Sequence, residues 1–265
     1  LCFKPLVKRI LLRRAAVFVC GATIGDFGRS QDEFMIATML PQPLIKICGI
    51  TRLEDVEAVA GSNANAIGLN FVRRSPRFVS EVQAQELSAL ARQQKLSIFA
   101  VVRDMPADDL SRLLVQIDAD WVQLHGQEQP GILRSCHSHG VIKALSWSGR
   151  AEEVGMANDW QSAFEQQVVT GESSHGFLVD AYAPEEGGGT GRRARWDLLW
   201  PRPSCLQGLP LILAGGLKPQ NVAQAIQQTR CQGVDTASGV ETAPGIKSKE
   251  LIAEFASQAA AAFST

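Results

Sequence analysis

Two short apolar runs in this sequence end in residues that can move protons. Leu44-Ile45-Lys46-Ile47-Cys48 closes on a cysteine followed by Gly49, and Phe177-Leu178-Val179-Asp180 closes on an acid. A thiolate at a strand end can take a proton or attack an electrophile. A buried cysteine is more often a small hydrophobe, but the strand-end position and the Gly49 turn favour chemistry here. Lys46, two residues earlier, shares the face of Cys48 on a straight strand. An acid at the end of a buried strand is costly unless it is paired or solvated in a cleft. Partial burial would raise the pKa of Asp180 toward general-acid work; the alternative is a structural acid capping the next loop. Arg77, within Arg73-Arg74-Ser75-Pro76-Arg77, could clamp a carboxylate bidentately or belong to a solvated basic loop. Gln123 and His125 bracket Leu124 at the end of another run.

Glycine-bearing loops suggest an anion beside these groups. Ala214-Gly215-Gly216-Leu217 leads into a helix expected to start near Pro219, and Ala237-Ser238-Gly239 follows the next apolar run. Such loops let backbone N–H groups turn toward a phosphate, and a helix N-terminus adds a favourable dipole. The loop Glu185–Gly191 lacks the spacing of a Walker motif and reads as a lid or a plain linker. His137 and His139 lie close to Cys136 but near an expected helix end, away from the other groups, and no ligand spacing predicts a metal.

What must position these residues is an alternation of strands and helices. Short apolar runs cover Leu44–Cys48, Ala66–Phe71, Ser97–Val102, Trp121–Leu124, Val141–Leu145, Phe177–Ala181, Leu211–Ala214 and Gly233–Thr236. Between most of them the spacing is helical, with helix starts expected at Thr51, Ser80 and Pro219. The stretch from Ser148 to Gly176 reads as one helix plus a loop, and the alanine-rich Gln258–Phe263 as the last helix. Eight strand–helix units suit a closed (β/α)8 TIM barrel forming one domain over residues 44–265, with a doubly wound open sheet as the structural alternative. The candidate residues then fall at strand C-termini, where barrels of this kind build their active sites.

Composition narrows the function classes. The 265 residues carry 26 Lys and Arg against 27 Asp and Glu, a formal net charge of −1 that argues against nucleic-acid binding. No apolar run reaches the ~18 residues of a membrane span. Six cysteines lie far apart with no CxxC pair, as in a reduced, cytoplasmic protein. Residues 1–43 hold six basic and three acidic residues, net +3, and form an N-terminal extension outside the expected barrel. It reads as an upstream segment absent from the native protein, or a dispensable tail, or a leader peptide.

Taken together, the motifs resemble the phosphoribosylanthranilate isomerase family. The stretches that carry the resemblance are Lys46-Ile47-Cys48-Gly49-Ile50-Thr51, Ser75-Pro76-Arg77, Val122-Gln123-Leu124-His125-Gly126, Leu178-Val179-Asp180 with Gly188-Gly189-Thr190-Gly191, Leu213-Ala214-Gly215-Gly216-Leu217, and Asp235-Thr236-Ala237-Ser238-Gly239-Val240-Glu241. They span nearly all of residues 44–250; the N-terminal extension has no counterpart and the segment 148–176 is long. The resemblance implies an Amadori rearrangement of N-(5-phosphoribosyl)anthranilate without metal or cofactor. It makes Asp180 the general acid and Cys48 the general base. It gives Arg77 the anthranilate carboxylate, and makes Gln123 and His125 substrate-binding residues. The backbone around Gly215, Gly216, Ser238 and Gly239 takes the phosphate, and Asp235 is expected to orient that loop. It implies a phosphosugar as the partner, with the chain a monomer or homodimer. Indole-glycerol-phosphate synthase would want catalytic lysines and glutamates that Lys46 and Lys143 alone do not supply. A histidine-pathway isomerase would want an aspartate where Cys48 stands. A barrel that only binds an anion is the rival from another class.

Overall fold

Eight parallel strands hydrogen-bond in sequence order and close on themselves, β8 pairing with β1. The computed structural model describes residues 40–136, 139–170, 174–180 and 196–265. The strands are β1 (Leu44–Cys48), β2 (Ala66–Asn70), β3 (Ser97–Val102), β4 (Trp121–Leu124), β5 (Gly140–Ser146), β6 (His175–Asp180), β7 (Leu211–Ala214) and β8 (Gly233–Thr236). Five of the eight coincide with the apolar runs of the sequence, because a parallel strand buried on both faces has no polar alternation to blur its limits. β5 and β6 begin earlier than those runs suggest, at Gly140 and His175. Ala181 lies outside the described residues, as do His137 and the lid or linker loop 185–191.

Alternation sorts the strand residues between two cores. One set faces the lumen, where Leu44, Ala66, Phe99, Trp121, Ile142, Leu178 and Ile212 pack together with Leu40 from just ahead of β1. The Phe99 and Trp121 rings stack there at 5.6 Å. The other set packs outward against α1 (Leu53–Ala60), α2 (Glu81–Gln93), α3 (Ala107–Gln116), α4 (Ala151–Thr170), α5 (Pro219–Thr229) and α6 (Lys249–Phe263). In α3 the buried stripe is Leu110, Leu113 and Leu114, the spacing of one helical face.

Two of the three expected helix starts hold. Ser80 caps α2 by accepting the Gln83 N–H at 3.2 Å, and α5 begins at Pro219. Thr51 does not cap α1. That helix starts at Leu53 behind Arg52, without a side-chain cap, and the Thr51 hydroxyl donates to the Gly245 carbonyl at 2.6 Å. Its competitor is a short antiparallel hairpin, β9 (Glu241–Ala243) with β10 (Ile246–Lys247), which folds over the loops after β1 and β2. Between β4 and β5 the described connection is a 3-10 turn, Pro130–Ser135, in place of a full helix. Among the described residues no helix is long and apolar enough to cross a membrane.

Candidate active site

The C-terminal ends of the strands open into a cavity of about 220 Å³. Of the ten residues given a role from the sequence, nine line it: Cys48, Arg77, Gln123, His125, Asp180, Gly215, Gly216, Asp235 and Ser238. Gly239 stands behind the wall, where a β-carbon would run into the Leu217 carbonyl and the Thr236 hydroxyl. Its smallness lets the loop after β8 close on the loop after β7, and the Thr236 hydroxyl fastens the two by donating to Leu217 O at 2.7 Å.

Those two loops have the shape of an anion cradle. Gly215 and Gly216 both take positive φ, +85° and +62°, a conformation open to glycine at no steric cost. Helix α5 starts three residues later. Asn221 accepts the Lys218 N–H at 2.8 Å and donates to the Gly216 carbonyl at 3.1 Å, so the glycine turn is tied to the first helical turn. The positive end of the helix dipole lies next to the cavity edge that these glycines form.

Cys48 is 7% exposed at the end of β1. Burial pushes its thiol above the ordinary value, and the neighbouring Lys46 only partly counters this. Lys46 is fully buried in the lumen, its Nζ 2.8 Å from Asp235 Oδ1 on β8. Burial alone would drive its ammonium to give up the proton. Asp235 and Cys48 outweigh that and hold it charged, above the ordinary lysine value. Asp235, expected to orient the phosphate loop, accepts at its carboxylate from Lys46.

Arg77 is anchored by a residue that sequence reasoning did not connect to it. Its Nε and Nη2 donate to the two carboxylate oxygens of Glu241, at 2.7 and 2.6 Å. Lys247 Nζ donates to the same Glu241 at 2.8 Å and to the Ala237 carbonyl at 2.9 Å. Burial pushes the Glu241 carboxyl up, but the hydrogen bonds from Arg77 and Lys247 win and hold it below the usual range. The Nη1 side of the Arg77 guanidinium has no partner among the described residues. Nothing in the sequence marks this triad, since Arg77 and Glu241 are 164 positions apart.

On the far wall, Gln123 Nε2 lies 3.0 Å from His125 Nδ1. Burial lowers the His125 pKa, against the opposing pull of Asp180 and Asp235. A neutral ring accepting at Nδ1 from the Gln123 amide presents its Nε2–H as a donor. Asp180 is half-buried at the end of β6, three strands from β1 around the barrel. Its carbonyl accepts the Trp147 N–H at 3.3 Å. Among the described residues no group of His, Cys, Asp and Glu could hold a metal ion.

A closed parallel barrel with titratable side chains gathered at its C-terminal rim defines a (β/α)8-barrel enzyme. Comparison with known proteins narrows the class. Residues 45–258 match the family model for N-(5′-phosphoribosyl)anthranilate isomerase. The enzyme of that name from Acinetobacter calcoaceticus is 40% identical over 212 residues, covering 79% of this chain and 93% of its own. The crystal structure of phosphoribosyl anthranilate isomerase from Thermotoga maritima superposes with a TM-score of 0.71 at 30% identity, over 84% of this chain and all of that one. A further structure of the isomerase, in complex with reduced 1-(o-carboxyphenylamino)-1-deoxyribulose 5-phosphate, gives 0.68 at 28% identity over the same shares. This chain belongs to the phosphoribosylanthranilate isomerase family, and is thereby an isomerase of tryptophan biosynthesis.

Proposed function

We propose that the chain converts N-(5-phosphoribosyl)anthranilate to 1-(2-carboxyphenylamino)-1-deoxyribulose 5-phosphate by acid–base chemistry between Asp180 and Cys48. The observation that carries this is the meeting of Cys48, Asp180, Arg77 and the two glycine loops around one cavity. A related structure with the reduced product analogue supports the ligand class.

The sequence of steps follows from the groups present. Asp180 gives a proton to the ribose ring oxygen, the C1–O bond breaks, and C1 becomes an iminium carbon. That cation is an electron sink, so the C2 proton beside it becomes acidic without a metal or coenzyme. The Cys48 thiolate removes this proton, and the C–H electron pair forms the C1–C2 double bond of an enolamine. Tautomerisation then moves the 2-hydroxyl proton away and protonates C1, leaving the C2 ketone. Holding acid and base in place around one sugar converts encounters into a positioned reaction. The Nη1 side of Arg77, which has no partner among the described residues, suits the anthranilate carboxylate. The loops after β7 and β8 suit the phosphate. The Nε2–H of His125 and the Gln123 amide supply further polar contacts. Four described cysteines, Cys48, Cys136, Cys205 and Cys231, are buried free thiols, which fits a cytoplasmic enzyme.

The test is the isomerase assay on the full chain, following loss of substrate fluorescence. Cys48→Ala and Asp180→Asn should each lower kcat by about 10²–10⁴-fold, the range for loss of a general base or acid. Both should still bind the reduced product analogue. Because the thiol is raised, wild-type kcat/KM should climb with pH through neutrality as the thiolate fraction grows. A barrel that binds the analogue yet turns over no substrate would overturn the reading.

A further inference from the structure

Lys46 is a lysine inside a barrel lumen, a position where an unpaired cation is strongly disfavoured. The register explains how it gets there. Lys46 lies directly beside Asp235 where β1 meets β8, and both side chains turn inward. Below the ammonium is the ring of Phe99, 5.5 Å away at its centroid. Next to it is Gly68, the register partner of Cys48 on β2. A β-carbon at Gly68 would come within 2.9 Å of the Cys48 sulfur and 3.0 Å of Lys46 Nζ. The thiol and the ammonium therefore crowd one small space, and that space exists because residue 68 has no side chain.

We propose that Lys46 is a positioning residue for the base: clamped by Asp235, its ammonium stabilises the Cys48 thiolate that the reaction needs, and Gly68 leaves room for the pair. The proposal rests on Cys48 being the general base.

Of the other charges around Cys48, Lys247 also favours the thiolate, but less strongly than Lys46 and without a hydrogen bond to the sulfur. From the loop after β2 comes Arg77, and from β10 comes Lys247; both feel the Cys48 charge. Both are already engaged by Glu241. β2 contributes only Gly68 and the neutral Asn70 on this face. Asp180 on β6 and His125 after β4 each lie three strands away from β1 around the barrel. That leaves the Lys46–Asp235 pair beside the sulfur. Asp235 has a double effect: it keeps Lys46 protonated and, as an anion, works against the thiolate. Removing Lys46 would take away the larger of the two cationic contributions at Cys48 and leave Asp235 opposed only by Lys247.

The experiment reads the Cys48 thiol and the reaction side by side in the full chain. Iodoacetamide alkylation of Cys48, followed at peptide level by mass spectrometry across pH, gives its titration midpoint. The kcat/KM profile gives the ascending limb of catalysis. In Lys46→Met both should move up by at least about one unit, so that kcat/KM at pH 7 falls about tenfold or more. Lys46→Arg, which keeps the charge, should return both most of the way. If Lys46→Met does not fold, Lys46→Met/Asp235→Asn removes the stranded carboxylate; both midpoints should still move up, by less than in Lys46→Met, because Asp235 itself opposes the thiolate. An unmoved alkylation midpoint in a folded variant would overturn the role of Lys46. A moved midpoint with an unmoved kcat/KM limb would instead overturn the role of Cys48 as the base.

Discussion

Lys46 and Lys143 are both fully buried on barrel strands and both paired with a carboxylate, yet they face opposite sides of the wall. Lys46 on β1 points into the lumen beside Cys48. Lys143 on β5 lies between lumen-facing Ile142 and Ala144 and points outward, 5.5 Å from the centroid of Trp160 on α4. Its Nζ reaches Glu128 Oε2 at 2.6 Å and the Gly126 carbonyl at 2.7 Å. Glu128 in turn accepts the backbone N–H groups of Gly126 and Asp104. The outer pair thus fastens the loop that carries His125 to the loop after β3, with no reacting atom in reach. Desolvation makes either pair costly. What each returns depends on its neighbours: a thiol in one case, loop backbone in the other.

The largest test of this contrast is Lys143→Met. Stranding Glu128 in a buried setting should destabilise the fold by about 3–5 kcal/mol, measured by urea denaturation. The folded enzyme should keep the pH profile of the wild type. If Lys143→Met moves the ascending limb of kcat/KM as Lys46→Met does, the contrast between the two walls fails.

A second test stays on the β5–β6 side. His175, at the start of β6, stacks on Phe164 at 4.6 Å, and burial lowers its pKa to about 4. The unfolded chain binds this proton near pH 6.5, so the stabilisation is complete above that pH and disappears as pH falls through about 4. The swing is on the order of 3 kcal/mol. His175→Phe should flatten that part of the stability–pH curve while leaving the neutral-pH kcat unchanged. A curve that keeps its full slope in the variant would assign the acid sensitivity to other groups.

The smallest expected effect lies on the β8–β1–β2 side. Glu241→Gln loosens the grip on Arg77, and should raise KM about tenfold with kcat within about threefold, the signature of lost ground-state binding. An equal fall in kcat with KM unchanged would place Glu241 in the chemistry instead.

The same contrast explains how much could be read from the sequence. Strands such as Ser97–Val102 and Leu211–Ala214 are continuous apolar runs whose ends coincide with the observed ones. Cys48, Asp180 and the glycine pair stand at such ends, and a barrel brings all strand ends to one rim. Partners set by closure were not legible. Lys46 meets Asp235 across 189 positions because β8 returns to β1 in one particular register, which local patterning does not encode. The β9–β10 hairpin, too short to show a pattern, takes Thr51 from its expected cap and brings Glu241 and Lys247 to Arg77. The loop after β4 holds no long helix, since Pro130 and Gly131 open a segment that supports only a 3-10 turn.

The central claim is that Cys48 takes the C2 proton while Asp180 protonates the ring oxygen. It is tested most directly by the kinetic isotope effect with substrate deuterated at C2, measured in the wild type, Cys48→Ala and Asp180→Asn. The account predicts that residual turnover in Cys48→Ala carries a full primary isotope effect, because proton removal has become limiting. In Asp180→Asn the effect should shrink toward unity, because ring opening limits first. Wild-type turnover in Cys48→Ala, or the two isotope effects exchanged between the variants, would contradict it.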